Sequence, residues 1–316
     1  MSLLRLLVRI AVAAGLTGYI LWKSHPRDVL LAFAGADWRP IAVAVALVLV
    51  DRALMAYRWV ALLCTIQPTH RPPLSDVMRI FFVSTFVGTF LPASVGGDAV
   101  RAYSMSRLNV PGGDAVASVF MDRMLGLASV LFMAVIGLVI ASDLARNRTI
   151  VAALVLAAGL CGATLLVIFV RDAAALASGL LDQLPKRVSE PGRRIVEAIR
   201  RYAAHHRQLL AVLIYSIGVQ VLRILQAYYL GHALGMTAPL ATYVAFVPLI
   251  LLVMLLPITF NGIGTSQAAF VWFFARAGVP ASTAFTLSVL FVALGIVGNL
   301  PGGVLYAAAG ASRRVI

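Results

Sequence analysis

The fold turns on residues 90–103, FLPASVGGDAVRAY. They follow an apolar run, RIFFVSTFVGTF (residues 79–90), that would otherwise continue as one helix. Pro92 removes a backbone donor, and Gly96 and Gly97 permit close approach or positive φ, so the run stops there. Asp98 and Arg101 then stand three residues apart on a restarting helix and share a face. A related break, LLPITFNGIGTSQAAF, covers residues 255–270. Set side by side, LPASVGG (residues 91–97) and LPITFNG (residues 256–262) share a Leu-Pro start, a hydroxyl (Ser94, Thr259) and a closing glycine.

The surrounding chain sets the environment. Of its 316 residues 61% are hydrophobic and 12% charged, with a mean hydropathy of +0.96. Soluble domains carry about 25% charged residues, so the composition is that of a polytopic membrane protein. The formal charge of +14 reads as basic cytoplasmic loops and contact with anionic lipid headgroups rather than nucleic acid. Cys64 and Cys161 lie in or beside apolar runs, with neither a disulfide framework nor metal-ligand spacing. The N-terminal stretch lacks a small-x-small cleavage site before KSHPRD and is expected to be a retained first helix.

A spanning helix needs about 20 apolar residues. Six segments qualify: 4–22, 40–63, 115–141, 149–170, 209–231 and 281–309. Residues 74–91 and 239–256 instead run into Leu-Pro, bend, and continue as shorter helical stretches near 97–108 and 264–276. Each pair reads as a re-entrant hairpin, because broken backbone at membrane depth survives only where protein or a water-filled cavity satisfies it. Residues 171–208 form the one long polar segment, a basic amphipathic cytoplasmic stretch within a single membrane domain spanning 1–316. His205 and His206 fall on its solvated face and lack metal-ligand partners.

With the N-terminus in the cytoplasm and both hairpins non-crossing, sixteen Lys and Arg lie inside and six (Lys23, Arg27, Arg39, Arg146, Arg148, Arg276) outside. This is the positive-inside pattern. It places both termini in the cytoplasm and makes the hairpins enter from opposite faces, the trace of an inverted repeat as in secondary transporters. The expected fold class is therefore all-α: six transmembrane helices plus two opposed re-entrant hairpins in a bacterial inner membrane.

The residues that could carry chemistry are the polar groups set within these apolar segments. Ionisable groups at bilayer depth are costly and mark a pathway or an internal pair. The helix restarting after Gly97 offers free amides to an anion, and Arg101 could take a phosphate bidentately. Asp98 equally suits the first turn of that helix, where it would favour the helix dipole. Asp51 and Arg58 share a face at i,i+7, which would suit an internal pair. For Asp122 and Arg123, pathway and structural pairing are both open. Arg223, with Gln226 three residues on, has no acid on its own helical face and needs one from elsewhere or a substrate anion. On the second hairpin the corresponding polar groups are Asn261, Gly262 and Gln267. There is no His-Glu-x-x-His, no Gly-Lys-Ser/Thr phosphate loop and no Gly-x-Ser-x-Gly, and no cofactor or metal is expected.

LPASVGGDAVRAY (residues 91–103), SVFMDRMLGL (118–127), LPITFNGIGTSQAAF (256–270) and GNLPGGVLY (298–306) together resemble the flippase-like membrane domain family. This is the transmembrane part of lysylphosphatidylglycerol synthases, which also occurs in stand-alone proteins, some associated with hopanoid synthesis. In the fused enzymes it is assigned to moving the aminoacylated lipid between leaflets, and a separate soluble domain makes that lipid. The resemblance implies translocation of a polar or phosphate-bearing lipid and no synthase activity. For such a translocator, the residues read as Arg101 with the Gly96–Gly97 amides holding a phosphate, Asp122, Arg123 and Arg223 lining the path, and Asn261, Gly262 and Gln267 receiving the headgroup on the far side. One departure stands out: where the family commonly has Gly-x-Arg-Glu, this chain has Gly264-Thr265-Ser266-Gln267. Another class of reading is a non-transporting partner that presents lipid to a lipid-modifying enzyme, and a third is an enzyme acting on a polyprenyl-phosphate lipid.

Overall fold

The computed structural model describes residues 18–19, 21–22, 24–66, 72–90, 95–108, 110–183, 185–255 and 262–311. Within them the chain is helical throughout, without strands. The elements are α1 (Pro26–Ala34), α2 (Trp38–Ile66), α3 (Leu74–Phe90), α4 (Val95–Ser106), α5 (Gly112–Ile140), the single turn α6 (Ser142–Ala145), α7 (Arg148–Phe169), α8 (Arg171–Asp182), α9 (Lys186–Arg201), α10 (His206–Ala233), α11 (Leu240–Leu255), α12 (Thr265–Phe274) and α13 (Ala281–Ala311). Short 3-10 turns follow α9 and α12.

Five helices, α2, α5, α7, α10 and α13, are long and apolar enough to cross a bilayer. They correspond to five of the six expected spans. The expected span at 4–22 lies outside the described residues apart from 18, 19, 21 and 22. Helices α3 and α11 have 17 and 16 residues. At 1.5 Å per residue they reach roughly 24–26 Å, short of the ~30 Å hydrocarbon core.

Without a hydrophobic drive between helices in lipid, close packing over small residues holds such a bundle together. Helix α2 lies along α10, α5 along α11, and α3 along both α4 and α13. At the α3–α4 crossing, Gly88 and Gly97 meet backbone to backbone. A Cβ on Gly97 would stand 2.8 Å from the Ser84 carbonyl oxygen. Where α13 crosses α3, Gly302 lies so close to Phe82 that a Cβ would come within 2.0 Å of its carbonyl oxygen. Gly137 is pressed onto Ala245 in the same way between α5 and α11. The largest apolar core joins α5, α10, α11, α12 and α13, with Tyr243, Phe270 and Phe274 fully buried in it.

The polar segment 171–208 is more than a surface helix. Helix α9 docks on the helical body through Ala198, Ile199 and Tyr202, which join Leu62, Ala117, Met121 and Ile168 in a second core. The Tyr202 hydroxyl donates to the Leu62 carbonyl at 3.0 Å, and burial pushes its phenol well above the ordinary tyrosine range. Arg201 closes the contact with an ion pair to Asp114 on α5. His206 stacks on Phe169.

Candidate functional site

The charges that the sequence scatters over four segments come together where α2, α4, α5 and α10 meet. Asp122 on α5 is the hub. Its Oδ1 accepts from Arg58 Nε on α2 at 2.7 Å, and its Oδ2 stands 3.6 Å from Arg101 on α4. Arg58 also donates to the Ser216 hydroxyl on α10 at 3.0 Å. Arg58 and Asp122 are 4% and 3% exposed. At that depth a charge survives only if paired and hydrogen-bonded.

Arg101 is buried and clamped. Its guanidinium lies 5.0 Å from the Trp59 ring and 4.4 Å from the Phe81 ring, and Nε reaches Ser84 Oγ at 3.4 Å. Two neighbouring aromatic rings, 6.2 Å apart centre to centre, thus flank the cation, a cation–π arrangement that gains strength when desolvated. Trp59 is held in turn by its indole N–H, which donates to Ser118 Oγ at 3.2 Å.

The neighbouring pair crosses the same interface. Arg123 on α5 donates to both oxygens of Asp98 on α4, at 2.7 and 2.8 Å. The two charge pairs therefore exchange partners between helices: Asp98 takes Arg123, and Arg101 takes Asp122. The bidentate geometry is the strong form of this contact. Arg123 is nevertheless 46% exposed, so this end of the cluster is open.

A second node sits two turns along α2, about 10 Å away at 1.5 Å per residue. Asp51 pairs with Arg52 at 3.0 Å and lies 3.6 Å from Arg223 Nε on α10. Arg52 also reaches the Gly295 carbonyl on α13 at 3.3 Å. Arg223 is 24% exposed while Asp51 is buried. The acid that Arg223 requires is supplied by α2, and the Asp51–Arg58 pair suggested by their shared face does not form. Arg58 reaches across to α5 instead. The physical reason is that α5 sets Asp122 at 2.7 Å from Arg58, whereas Asp51 stands about 10 Å along the helix and is taken by Arg52 and Arg223.

Several buried polar atoms around this second node have no hydrogen bond: Asp51 Oδ1, Arg52 Nε, Gln220 Oε1, Gln226 Nε2 and Asn299 Oδ1. Native interiors rarely leave such groups unpaired, and each demands an explanation. Gln226 is therefore buried near Arg223 in sequence but is not part of its ion pair. Asn299 donates to Thr89 Oγ1 at 2.9 Å, tying α13 to the end of α3.

The structure places the other expected residues as follows. Gly97 is buried in the α3–α4 crossing, where packing already accounts for it; Gly96 stands beside it on the first turn of α4. Gly262 and Gly264 have φ of +74° and +91°, which only glycine adopts freely. Gln267 is buried, and its Oε1 accepts from the Gly264 N–H and from the Ser266 hydroxyl. Gln267 thus caps the start of α12, with Ser266 holding its amide oxygen. Ser94, Thr259 and Asn261 lie outside the described residues. Sequence reasoning missed Trp59, Phe81, Ser84 and Ser216, because an aromatic or hydroxyl in an apolar helix carries no signal of its own.

Counted over both nodes, Arg52, Arg58, Arg101, Arg123 and Arg223 face Asp51, Asp98 and Asp122. Among the described residues, five cations therefore meet three anions in this cluster, two more positive than negative charges.

Two comparisons bear on this arrangement. The chain is 27% identical over 289 residues to a UPF0104 membrane protein of Methanothermobacter thermautotrophicus, a match covering 84% of this chain and 83% of that one. Residues 6–302 match the family described as the lysylphosphatidylglycerol synthase TM region. That span takes in α1 to α12, most of α13 and both nodes of the charge cluster, and the chain accordingly belongs to the family of the lysylphosphatidylglycerol synthase transmembrane region.

Proposed function

We propose that this protein moves a phosphate-bearing lipid between leaflets, its headgroup passing along the arginine cluster while the tails stay in the bilayer. The observation that carries this reading is that five arginines share three carboxylates in one cluster. Poorly solvated arginines that share an acid are only partly neutralised, and a phosphate supplies further negative charge in the geometry arginine prefers. The partly exposed cations, Arg123 and Arg223, form the points of contact. The buried ones, Arg58 and Arg101, hold the field.

The architecture behind the proposal has six spans and two hairpins, α3–α4 and α11–α12, entering from opposite faces. The shortness of α3 and α11 and the sixteen-to-six division of Lys and Arg support it. The orientation is cytoplasmic at both ends, in a cytoplasmic membrane. The protein acts by translocation rather than by making or breaking covalent bonds.

The test is a liposome assay with a fluorescent anionic phospholipid and a membrane-impermeant quencher. Liposomes holding the protein should expose the inner-leaflet probe faster than empty ones, and Arg223→Ala should slow that exchange about tenfold or more, as loss of one charge-assisted contact does. Exchange no faster than in empty liposomes would reject the proposal.

A further inference from the structure

Away from the charge cluster, helices α5, α7 and α9 enclose a cleft of about 350 Å³. This is within the range of small-ligand sites, roughly 300–1,000 Å³. Its walls are apolar: Phe120 from α5, Leu160 and Ile168 from α7, and Ile199 from α9 among them. The one hydroxyl, Thr164, is spent on the Leu160 carbonyl of its own helix at 2.9 Å. The one charge is Arg200, half-buried at the wall and in no ion pair with the described residues. Its neighbours on α9 differ, since Arg201 pairs with Asp114 and Arg193 with Asp182.

What enters such a cleft follows from what borders it. Helix α7 is the most outward-facing of the spanning helices, with Val155, Leu156, Leu160 and Leu166 exposed. Its surroundings are therefore acyl chains, and the cleft opens from that surface. An apolar cleft offers a hydrocarbon chain no preference over the bilayer itself, because lipid tails are as apolar as leucine. Selectivity must come from Arg200. Helix α9 adds Lys186, Arg193 and Arg194 to the same layer, a basic surface of the kind that draws anionic headgroups.

We propose that this cleft is a resident-lipid site: one acyl chain of an anionic glycerophospholipid lies between α5, α7 and α9, with its phosphate on Arg200. The site shares no residue with the arginine cluster, so the bound lipid is a fixed structural or regulatory lipid and not the one translocated.

The experiment is native mass spectrometry of the full chain released from nanodiscs of mixed phosphatidylglycerol and phosphatidylcholine. Wild type should retain one phosphatidylglycerol in preference to phosphatidylcholine. Arg200→Ala should lower that preference roughly fivefold to tenfold, as removal of one cation near an anionic surface does, while a lipid of either kind stays bound. Ala163→Trp, which fills the cleft from an outward-facing position on α7, should remove the retained lipid altogether. Unchanged lipid retention in Ala163→Trp overturns the proposal. So does an equal loss of preference in Arg193→Ala, which would assign the effect to the basic surface as a whole.

Discussion

Arg58 and Asp122 meet at 2.7 Å with both side chains almost wholly shut away from the surface, and Arg101 shares the same carboxylate. Removing one partner of such a pair leaves an uncompensated buried charge, which costs about 3–5 kcal/mol. Asp122→Ala should therefore destabilise the protein by that amount, since it strands Arg58 and Arg101 together. The double variant Arg58→Leu/Asp122→Leu strands only Arg101 and should lose less. Thermal unfolding of the purified variants in one detergent checks both. A double variant as unstable as Asp122→Ala would mean that packing, not charge, dominates here.

The Asp98–Arg123 pair has good geometry but an exposed arginine. Exposed pairs contribute only about 0–1 kcal/mol. Asp98→Asn should thus leave the unfolding temperature within a few degrees of wild type. In the liposome assay it should still change lipid exchange, because it frees Arg123. A large stability loss would show that the pair is better shielded than its exposure suggests.

Gly97 has no room for a side chain, with the Ser84 oxygen 2.8 Å and the Gly88 Cα 3.1 Å from where a Cβ would sit. Gly97→Ala must push α4 off α3, at about 1–3 kcal/mol for such overpacking. Because Gly88 faces the same point, Gly88→Ala/Gly97→Ala should deviate from the sum of the single variants. Additive unfolding energies would place the two contacts in separate parts of the interface.

Gln267 serves as an acceptor for the Gly264 N–H and the Ser266 hydroxyl. Gln267→Glu keeps the acceptor and should be tolerated, whereas Gln267→Leu strands the buried amide and should cost about 1–3 kcal/mol. Comparing unfolding curves of the two variants decides it. Equal losses would point to side-chain packing rather than the cap.

Hydropathy and the placement of proline located five of the spanning helices and the ends of α3 and α11, because the length of an apolar run and the presence of proline are local properties. The partners of the charges were not legible in the same way. Asp98 with Arg101 and Asp51 with Arg58 look like pairs when counted along one helix, yet Asp98 takes Arg123 and Arg58 takes Asp122. Which acid an arginine reaches is set by how α2, α4 and α5 cross, and that depends on contacts such as Gly88–Gly97 which no single segment records. Helix α9 was likewise readable as basic and amphipathic, but its anchoring through Tyr202 to Leu62 depends on a residue far along the chain.

The exchange of partners between α4 and α5 also keys their alignment. Asp98 and Arg101 run along one helix, and Arg123 and Asp122 run along the other in complementary order. Sliding α4 by one rung in either direction would set Asp98 beside Asp122 or Arg101 beside Arg123, like charge against like. The two helices are thereby latched against longitudinal slip, as teeth of alternating polarity would be. Motion of α4, whatever drives it, must carry α5 along or swing about the rungs.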